Sequence, residues 1–319
     1  MKLSVVVPVY NGEEVLLRCL NSIKNQTYRD MELIIVNDGS TDHTKSVINK
    51  FNESIHDIEV VVIDQKNKGN SLARKSGIDV ARGEYVGFID ADDWIEPNYF
   101  NSLMHLAQTK NADMVCSEIT QDIGNKKRVE AHDTSKTVLT GEEAIKLLHQ
   151  RKAVYQYMAN KIIRKNLLEK VTFPAKNMIG EDYTIIVQIL CLSNNIVLSR
   201  ERGYHYVILE NSLSHAGYND SFKNAINTYP LIEKHITSLF PDCKKDISNF
   251  MLQNYMGAIM AMCKNQNYDS KNLRWIHKYV KSHLKDFILY SPFAIYWKVG
   301  VTIFAINTKV FCCLCNVFR

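Results

Sequence analysis

Between residues 3 and 119, short runs of β-branched and other apolar residues alternate with longer stretches in which apolar positions recur every three to four residues. The short runs read as strands buried on both faces and the longer stretches as amphipathic helices. Their alternation predicts consecutive βαβ units around a mainly parallel sheet, an α/β fold. Strands are expected over residues 2–9, 31–37, 58–64, 85–89 and 114–118, and helices over 13–25, 44–51, 71–81 and 98–110. Right-handed crossovers gather such strands into one doubly wound sheet, with the ligand crevice outside their carboxyl ends. Beyond residue 119, the polar run 121–137 reads as a hairpin or loop. Helix patterns resume at 141–151 and 161–170, an apolar helix follows Gly180-Glu181-Asp182, a strand is expected over 196–209, and 219–285 reads as a series of helices. The domain division that follows is 1–218 and a helical extension at 219–319.

The predicted strand ends are polar in a specific way: Tyr10-Asn11-Gly12-Glu13, Asp38-Gly39-Ser40-Thr41-Asp42, Gln65-Lys66-Asn67-Lys68-Gly69 and Asp90-Ala91-Asp92-Asp93. Carboxylates and amides converging on one rim suit a ligand with hydrogen-bond donors and a bound cation. Asp90, Asp92 and Asp93 offer hard oxygen ligands for magnesium or manganese, ions that keep substrate phosphates in their coordination shell. A solvated turn with helix-capping aspartates is the alternative. Neither Gly-x-Gly-x-x-Gly nor Gly-x-x-x-x-Gly-Lys-Ser/Thr occurs, which speaks against a dinucleotide-binding or P-loop site.

Four ordered motifs resemble the family 2 inverting glycosyltransferases of bacterial polysaccharide and lipopolysaccharide synthesis, which have the GT-A fold. They are Val5-Val6-Val7-Pro8-Val9-Tyr10-Asn11, Val36-Asn37-Asp38-Gly39-Ser40-Thr41-Asp42, Asn67-Lys68-Gly69-Asn70-Ser71-Leu72-Ala73-Arg74 and Gly83-Glu84-Tyr85-Val86-Gly87-Phe88-Ile89-Asp90-Ala91-Asp92-Asp93. The last resembles the strand carrying the Asp-x-Asp motif. The resemblance implies a nucleotide-sugar donor, with UDP-sugars foremost, bound by Pro8, Tyr10, Asn11, Glu13, Asp38, Arg74, Asp90, Ala91 and Asp92. Asp92 would hold Mn2+ or Mg2+ on the diphosphate. Gly180-Glu181-Asp182 resembles the later Glu-Asp pair, which makes Asp182 the general base of a single displacement and Glu181 its competitor. Tyr204-His205-Tyr206 and Ser212-Leu213-Ser214-His215 resemble the region where some relatives supply a histidine to the metal, so His215 is a candidate ligand. Lys161 is either an acceptor or phosphate contact or a helix-surface lysine.

Charge is divided unevenly: residues 221–319 carry 13 basic and 5 acidic side chains, against 26 and 29 in residues 1–220. Only Lys298 and Lys309 are charged in 287–318, and the longest uncharged run there, eleven residues, is too short to span a bilayer. At 100° per residue, Lys298, Thr302, Lys309 and Asn316 form one stripe. Ile303, Phe304, Ile306, Val310, Phe311, Leu314, Val317 and Phe318 face away, with Asn307 out of place among them and Pro292 marking a break before the helix. Such a helix lies in a membrane interface, and the basic excess attracts anionic head groups; without basic residues interleaved with aromatics, nucleic acid is not expected as a partner. Eight cysteines and an opening directly into a strand pattern predict free thiols in a reducing compartment. Cys312, Cys313 and Cys315 lack the second ligand pair of a zinc site. The expected protein is cytoplasmic, attached peripherally to the inner membrane face, and acts on a glycan or lipid-linked saccharide acceptor. A metal-dependent nucleotidyltransferase and a catalytically silent nucleotide-sugar-binding scaffold are the rival readings.

Overall fold

In the computed structural model, which describes residues 2–174, 178–208, 218–266, 268–291 and 294–317, the apolar runs of the first 120 residues form strands much as their pattern predicts. β1 (Leu3–Val9), β2 (Met31–Asn37), β3 (Glu59–Asp64) and β4 (Tyr85–Phe88) are joined by α1 (Leu16–Lys24), α2 (Thr44–Ser54) and α3 (Asn70–Val80). Every residue of β1 and β2 is buried, as in a parallel sheet covered on both faces by helices. β1 pairs in parallel with β2 and β4, and β2 with β3. The register between β1 and β4 ends at Val6 and Phe88. Pro8, which has no N–H to donate, therefore lies where β4 has already turned away.

The chain continues through β5 (Trp94–Ile95), α4 (Tyr99–Thr109), β6 (Met114–Cys116), the expected hairpin β7 (Ile119–Ile123) and β8 (Lys126–Glu130), then β9 (Val138–Leu139) and α5 (Gly141–His149). Here the structure corrects the helix expected over 161–170. Lys161–Arg164 is a strand, β10, and only Lys165–Leu168 is helical, as α6. Its Ile162-Ile163 pair suits a pleated core position, and β10 fits antiparallel between β4 and β6, where tertiary pairing overrides the local helical period. α7 (Glu181–Leu192) follows. The strand expected over 196–209 is divided into β11 (Ile196–Leu198) and β12 (Tyr204–Val207). The sheet order β3-β2-β1-β4-β10-β6-β11-β9 places β11 in the main sheet, and β5-β12-β7-β8 places β12 in a second one.

By contact, one unit comprises Met1–Ile145, Lys152–Lys176 and Glu181–Ser212, and the other Lys146–Arg151, Asn177–Gly180 and Leu213–Arg319. The second unit is built on α8 (Asp220–Leu239), α9 (Lys244–Asn265), α10 (Ser270–Tyr290), α11 (Ile295–Ile306) and α12 (Thr308–Val317). The single interfacial helix expected near the end is thus two helices. Asn307 leaves helical geometry at φ −149°, and its Oδ1 accepts the amides of Lys309 and Val310 at 3.0 and 3.1 Å, the capping role an asparagine favours. The expected apolar side divides as well: Phe304 and Phe311 are buried, whereas Ile306 and Val310 are exposed. No helix among the described residues is long and apolar enough to cross a membrane.

Candidate active site

The turns after β1 and β2 are fastened to each other. Asn11, at φ +50°, accepts the Thr41 amide on Oδ1 at 2.8 Å and donates its own N–H to Ser40 Oγ at 3.0 Å. Glu13 accepts the His43 amide at 2.8 Å, and its N–H donates to Asp42 Oδ2 at 3.1 Å. With the two turns locked, Tyr10 stands 51% exposed at the end of β1, its ring available for stacking. Asp38 is only 3% exposed. Its Oδ1 accepts from Gln65 Nε2 and the Lys68 amide, and its Oδ2 from the Gly69 amide, so it shapes the loop entering α3. Gly39 beside it has φ +76°, and a Cβ there would lie 2.7 Å from the Asn67 nitrogen, which reserves the position for glycine.

Arg74 joins the distant parts of the site. It is 1% exposed on α3, donates to Asp90 Oδ1 at 2.7 Å and to Asp182 Oδ1 at 2.5 Å, and so bridges the end of β4 to the first turn of α7. Burial alone would lower its pKa, but Asp182, Asp90 and Glu181 prevail and push it up. Asp182 Oδ2 accepts the Met158 amide at 3.0 Å, leaving the carboxylate oriented from two sides. Glu181 is pushed up to about 7, chiefly by burial and then by Asp182 and Asp90, against the pull of Arg74 and the Ser71 amide. Arg74 Nε and Ser71 Oγ, three residues apart on α3, are buried without a protein partner. Such a buried polar group costs about 1–3 kcal/mol unless a water or a ligand meets it.

The Asp90-Ala91-Asp92-Asp93 run does not act as one cluster. Asp93 is fully buried, accepts from Tyr204 Oη at 2.5 Å and the Val207 amide at 2.9 Å, and is pushed up to about 8 by burial and by Asp90 and Asp92. Its own hydrogen bonds remove it from the cation ligands expected at this turn. Asp92 stays half-buried beside the half-buried Ala91, and its pKa is raised by burial and then by Asp90, a repulsion that a bound cation would offset. Among the described residues no group of three or more His, Cys, Asp or Glu is arranged to enclose a metal. One carboxylate completed by substrate phosphate and water is a coordination that Mg2+ accepts, so this donor set fits an ion that arrives with a diphosphate.

Three further residues of the sequence reading remain, His215, His205 and Lys161. His215 lies outside the described residues. His205 is stacked on Trp94 at 3.6 Å between ring centroids, with ring nitrogens 3.2 Å from Asp122 and Glu96 oxygens, and its polar atoms are occupied there. Lys161 is not on a helix surface. It is buried in β10 and donates to the Tyr157 carbonyl at 2.8 Å and to Asn160 Oδ1 at 2.7 Å; burial lowers its pKa to about 8. It thereby braces a loop in which Val154 and Asn160 have φ of +52° and +58°, uncommon values for such residues, and which supplies the Met158 amide to Asp182. Sequence reasoning missed this brace and the Tyr204–Asp93 pair; the run of β-branched residues after Lys161 was the available signal.

One buried arginine thus holds an aspartate from the end of β4 and another from the first turn of α7. The family pattern of glycosyl transferase family 2 matches residues 4–172, and the chain belongs to that family of glycosyltransferases. It is 30% identical over 227 residues to Glycosyltransferase GlyA of Streptococcus pneumoniae serotype 4, covering 67% of this chain and 31% of GlyA. It is also 30% identical over 232 residues to the Putative glycosyltransferase EpsH of Bacillus subtilis, covering 71% of this chain and 66% of EpsH. The aligned part thus spans under a third of the first relative and just under two thirds of the second. Residues 1–349 of S. aureus TarS, solved in complex with UDP-GlcNAc, share the fold at a TM-score of 0.72 and 18% identity, over 99% of this chain and 89% of that one. The fold is GT-A.

Proposed function

We propose that this enzyme transfers a single sugar, with inversion, from a UDP-sugar to a saccharide or lipid-linked acceptor in cell-surface polysaccharide synthesis, at the cytoplasmic face of the membrane. The observation that carries the reading is the Arg74 bridge, which ties Asp90 on the donor side to Asp182 on the opposite element. The TarS complex with UDP-GlcNAc supports a uridine nucleotide. In this reading the Tyr10 ring stacks on the base, Pro8, Asn11, Glu13 and Asp38 form the wall behind base and ribose, and Asp90, Ala91 and Asp92 meet the diphosphate. Asp92 would hold Mn2+ or Mg2+, which would supply neutralisation of the charge on the leaving diphosphate. Asp182 takes the proton of the acceptor hydroxyl as its oxygen bonds to the anomeric carbon and the bond to the diphosphate breaks. The chemistry lies within residues 1–218, with 219–319 as the helical appendage.

A second reading of the base rests on Glu181, whose carboxyl is pushed up to about 7, near the pH at which a general base works best. Release of free nucleotide, measured with Mn2+ and each common UDP-, GDP- and dTDP-sugar, tests the whole. One UDP-sugar should turn over. Asp182→Asn should lose turnover by about 100-fold or more while retaining donor affinity, and Glu181→Gln should keep most of it. The reverse order transfers the role to Glu181, and no turnover with any donor, despite binding, favours a silent sugar-nucleotide-binding scaffold.

A further inference from the structure

The second unit carries a surface whose two halves suit one kind of partner. On α10, residues 274, 278, 281, 285 and 288 recur at intervals of four, three, four and three, so they share one helix face. That face bears Arg274, Lys278, Lys281, Lys285 and Ile288, all exposed. The opposite face buries Ile276, Val280 and Phe287, and Asp286 lies away from the basic row. The row ends in an exposed apolar group. Leu289 and Tyr290 are each 58% exposed, and on α11 Ile295, Tyr296 and Ile306 are 75%, 69% and 76% exposed. Lys298 Nζ donates to the Ile288 carbonyl at 2.8 Å, which sets the end of α10 beside α11. Lys245 lies 4.2 Å from the Tyr290 ring. From residue 287 to 317 no acidic side chain occurs.

From this juxtaposition we infer that the α10–α11 face docks on an anionic phospholipid bilayer. The cationic row lies along the head groups, and Leu289, Ile295, Tyr296 and Ile306 enter the boundary beneath them. A row of unlike chemistry running into large exposed apolar side chains is the pattern of an interfacial element, and tyrosines favour that depth. A second copy of this chain would bring its own row of like charges against this one, so charge complementarity favours lipid. The face differs from the one read in the sequence: Phe304 and Phe311, there assigned to the membrane, are core residues, and much of the positive charge comes from α10. Docking serves the proposed lipid-linked acceptor and rests on that reading for its purpose alone.

The test uses the full chain and vesicles of phosphatidylglycerol and phosphatidylcholine in equal parts, with phosphatidylcholine alone for comparison. Co-sedimentation should occur with the anionic vesicles only and weaken with added salt. The triple variant Lys278→Gln, Lys281→Gln, Lys285→Gln should bind on the order of 100-fold more weakly, about fivefold per cation. The variant Ile295→Ser, Tyr296→Ser, Ile306→Ser alters side chains already in solvent, so its circular dichroism and Tm should match the parent while vesicle binding falls about tenfold or more. Unchanged binding in both variants, equal binding to both vesicles, or a dimer in light scattering that the apolar variant dissociates would each overturn the proposal. Turnover on a water-soluble acceptor, followed in parallel, separates loss of docking from failure of the transferase reading.

Discussion

Arg74 and Glu181 show how single residues set the electrostatics of the site. The guanidinium is shared between Asp90 and Asp182, and a planar fork can serve two carboxylates in fixed directions where an ammonium cannot. Glu181 is left as the carboxylate without a share of that fork, and its pKa rises to about 7 from an ordinary 4.5. The native state therefore binds more protons than the unfolded chain between those values. Linkage then requires its contribution to stability to be complete below about 4.5 and lost as pH rises through about 7. Glu181→Gln should remove that slope and gain ~1–2 kcal/mol at pH 8, discounted for its partial exposure. Urea unfolding of both proteins from pH 4.5 to 8 checks this, and parallel curves would show that Glu181 is not strained in the fold. Asp90 was legible in the sequence as a polar strand end, and Glu181 and Asp182 through the resemblance of Gly180-Glu181-Asp182 to a family motif. The bridge was not, because Arg74 and Asp182 are 108 positions apart and no local pattern records which distant side chain a buried arginine will meet.

At the scale of elements, β10 carries more of the site than its short length suggests. Lys161 holds carbonyls and an amide oxygen of the loop before it, and this loop presents the Met158 N–H to Asp182. Lys161→Met keeps the volume and removes the donor. Turnover should fall on the order of tenfold or more through misplacement of Asp182, with donor Kd unchanged by calorimetry. The same substitution has a pH signature. With the native pKa lowered to about 8 against an ordinary 10.5, the unfolded chain binds more protons in that window. Stability attributable to Lys161 thus rises with pH across it, and the rise should be missing in the variant. Equal turnover and identical alkaline curves would make Lys161 a passive core residue. Read locally, 161–170 has a helical period; what makes it a strand is the space between β4 and β6, which only the assembled sheet defines. Asn307 illustrates the converse: it stood out in the sequence as a polar residue on an apolar stripe, and its side chain proves to be the cap that divides α11 from α12.

Over the whole molecule, charge and chemistry are divided: the carboxylates and their arginine lie in the first unit, and the basic excess lies in the second. The first division was readable because alternating buried strands and amphipathic helices force polar loops to one rim. The second was readable as composition, but the exposed face had to be found from packing, since burial of Phe304 and Phe311 follows from contacts no helical projection contains. The division yields a test of the donor site that needs no acceptor. A ligand that binds only the folded state adds RT ln(1 + [L]/Kd), about 2.7 kcal/mol at one hundred times Kd. UDP with Mn2+ should therefore raise the unfolding temperature of the full chain by several degrees, given the 2–4 °C per kcal/mol typical of domains near this size. Asp92→Ala should abolish the metal-dependent part of the shift, while the Lys278→Gln, Lys281→Gln, Lys285→Gln variant should retain all of it. If instead the lysine variant lost the shift and Asp92→Ala kept it, the nucleotide would be bound by the basic face, and the assignment of the β4 turn to the diphosphate would fail.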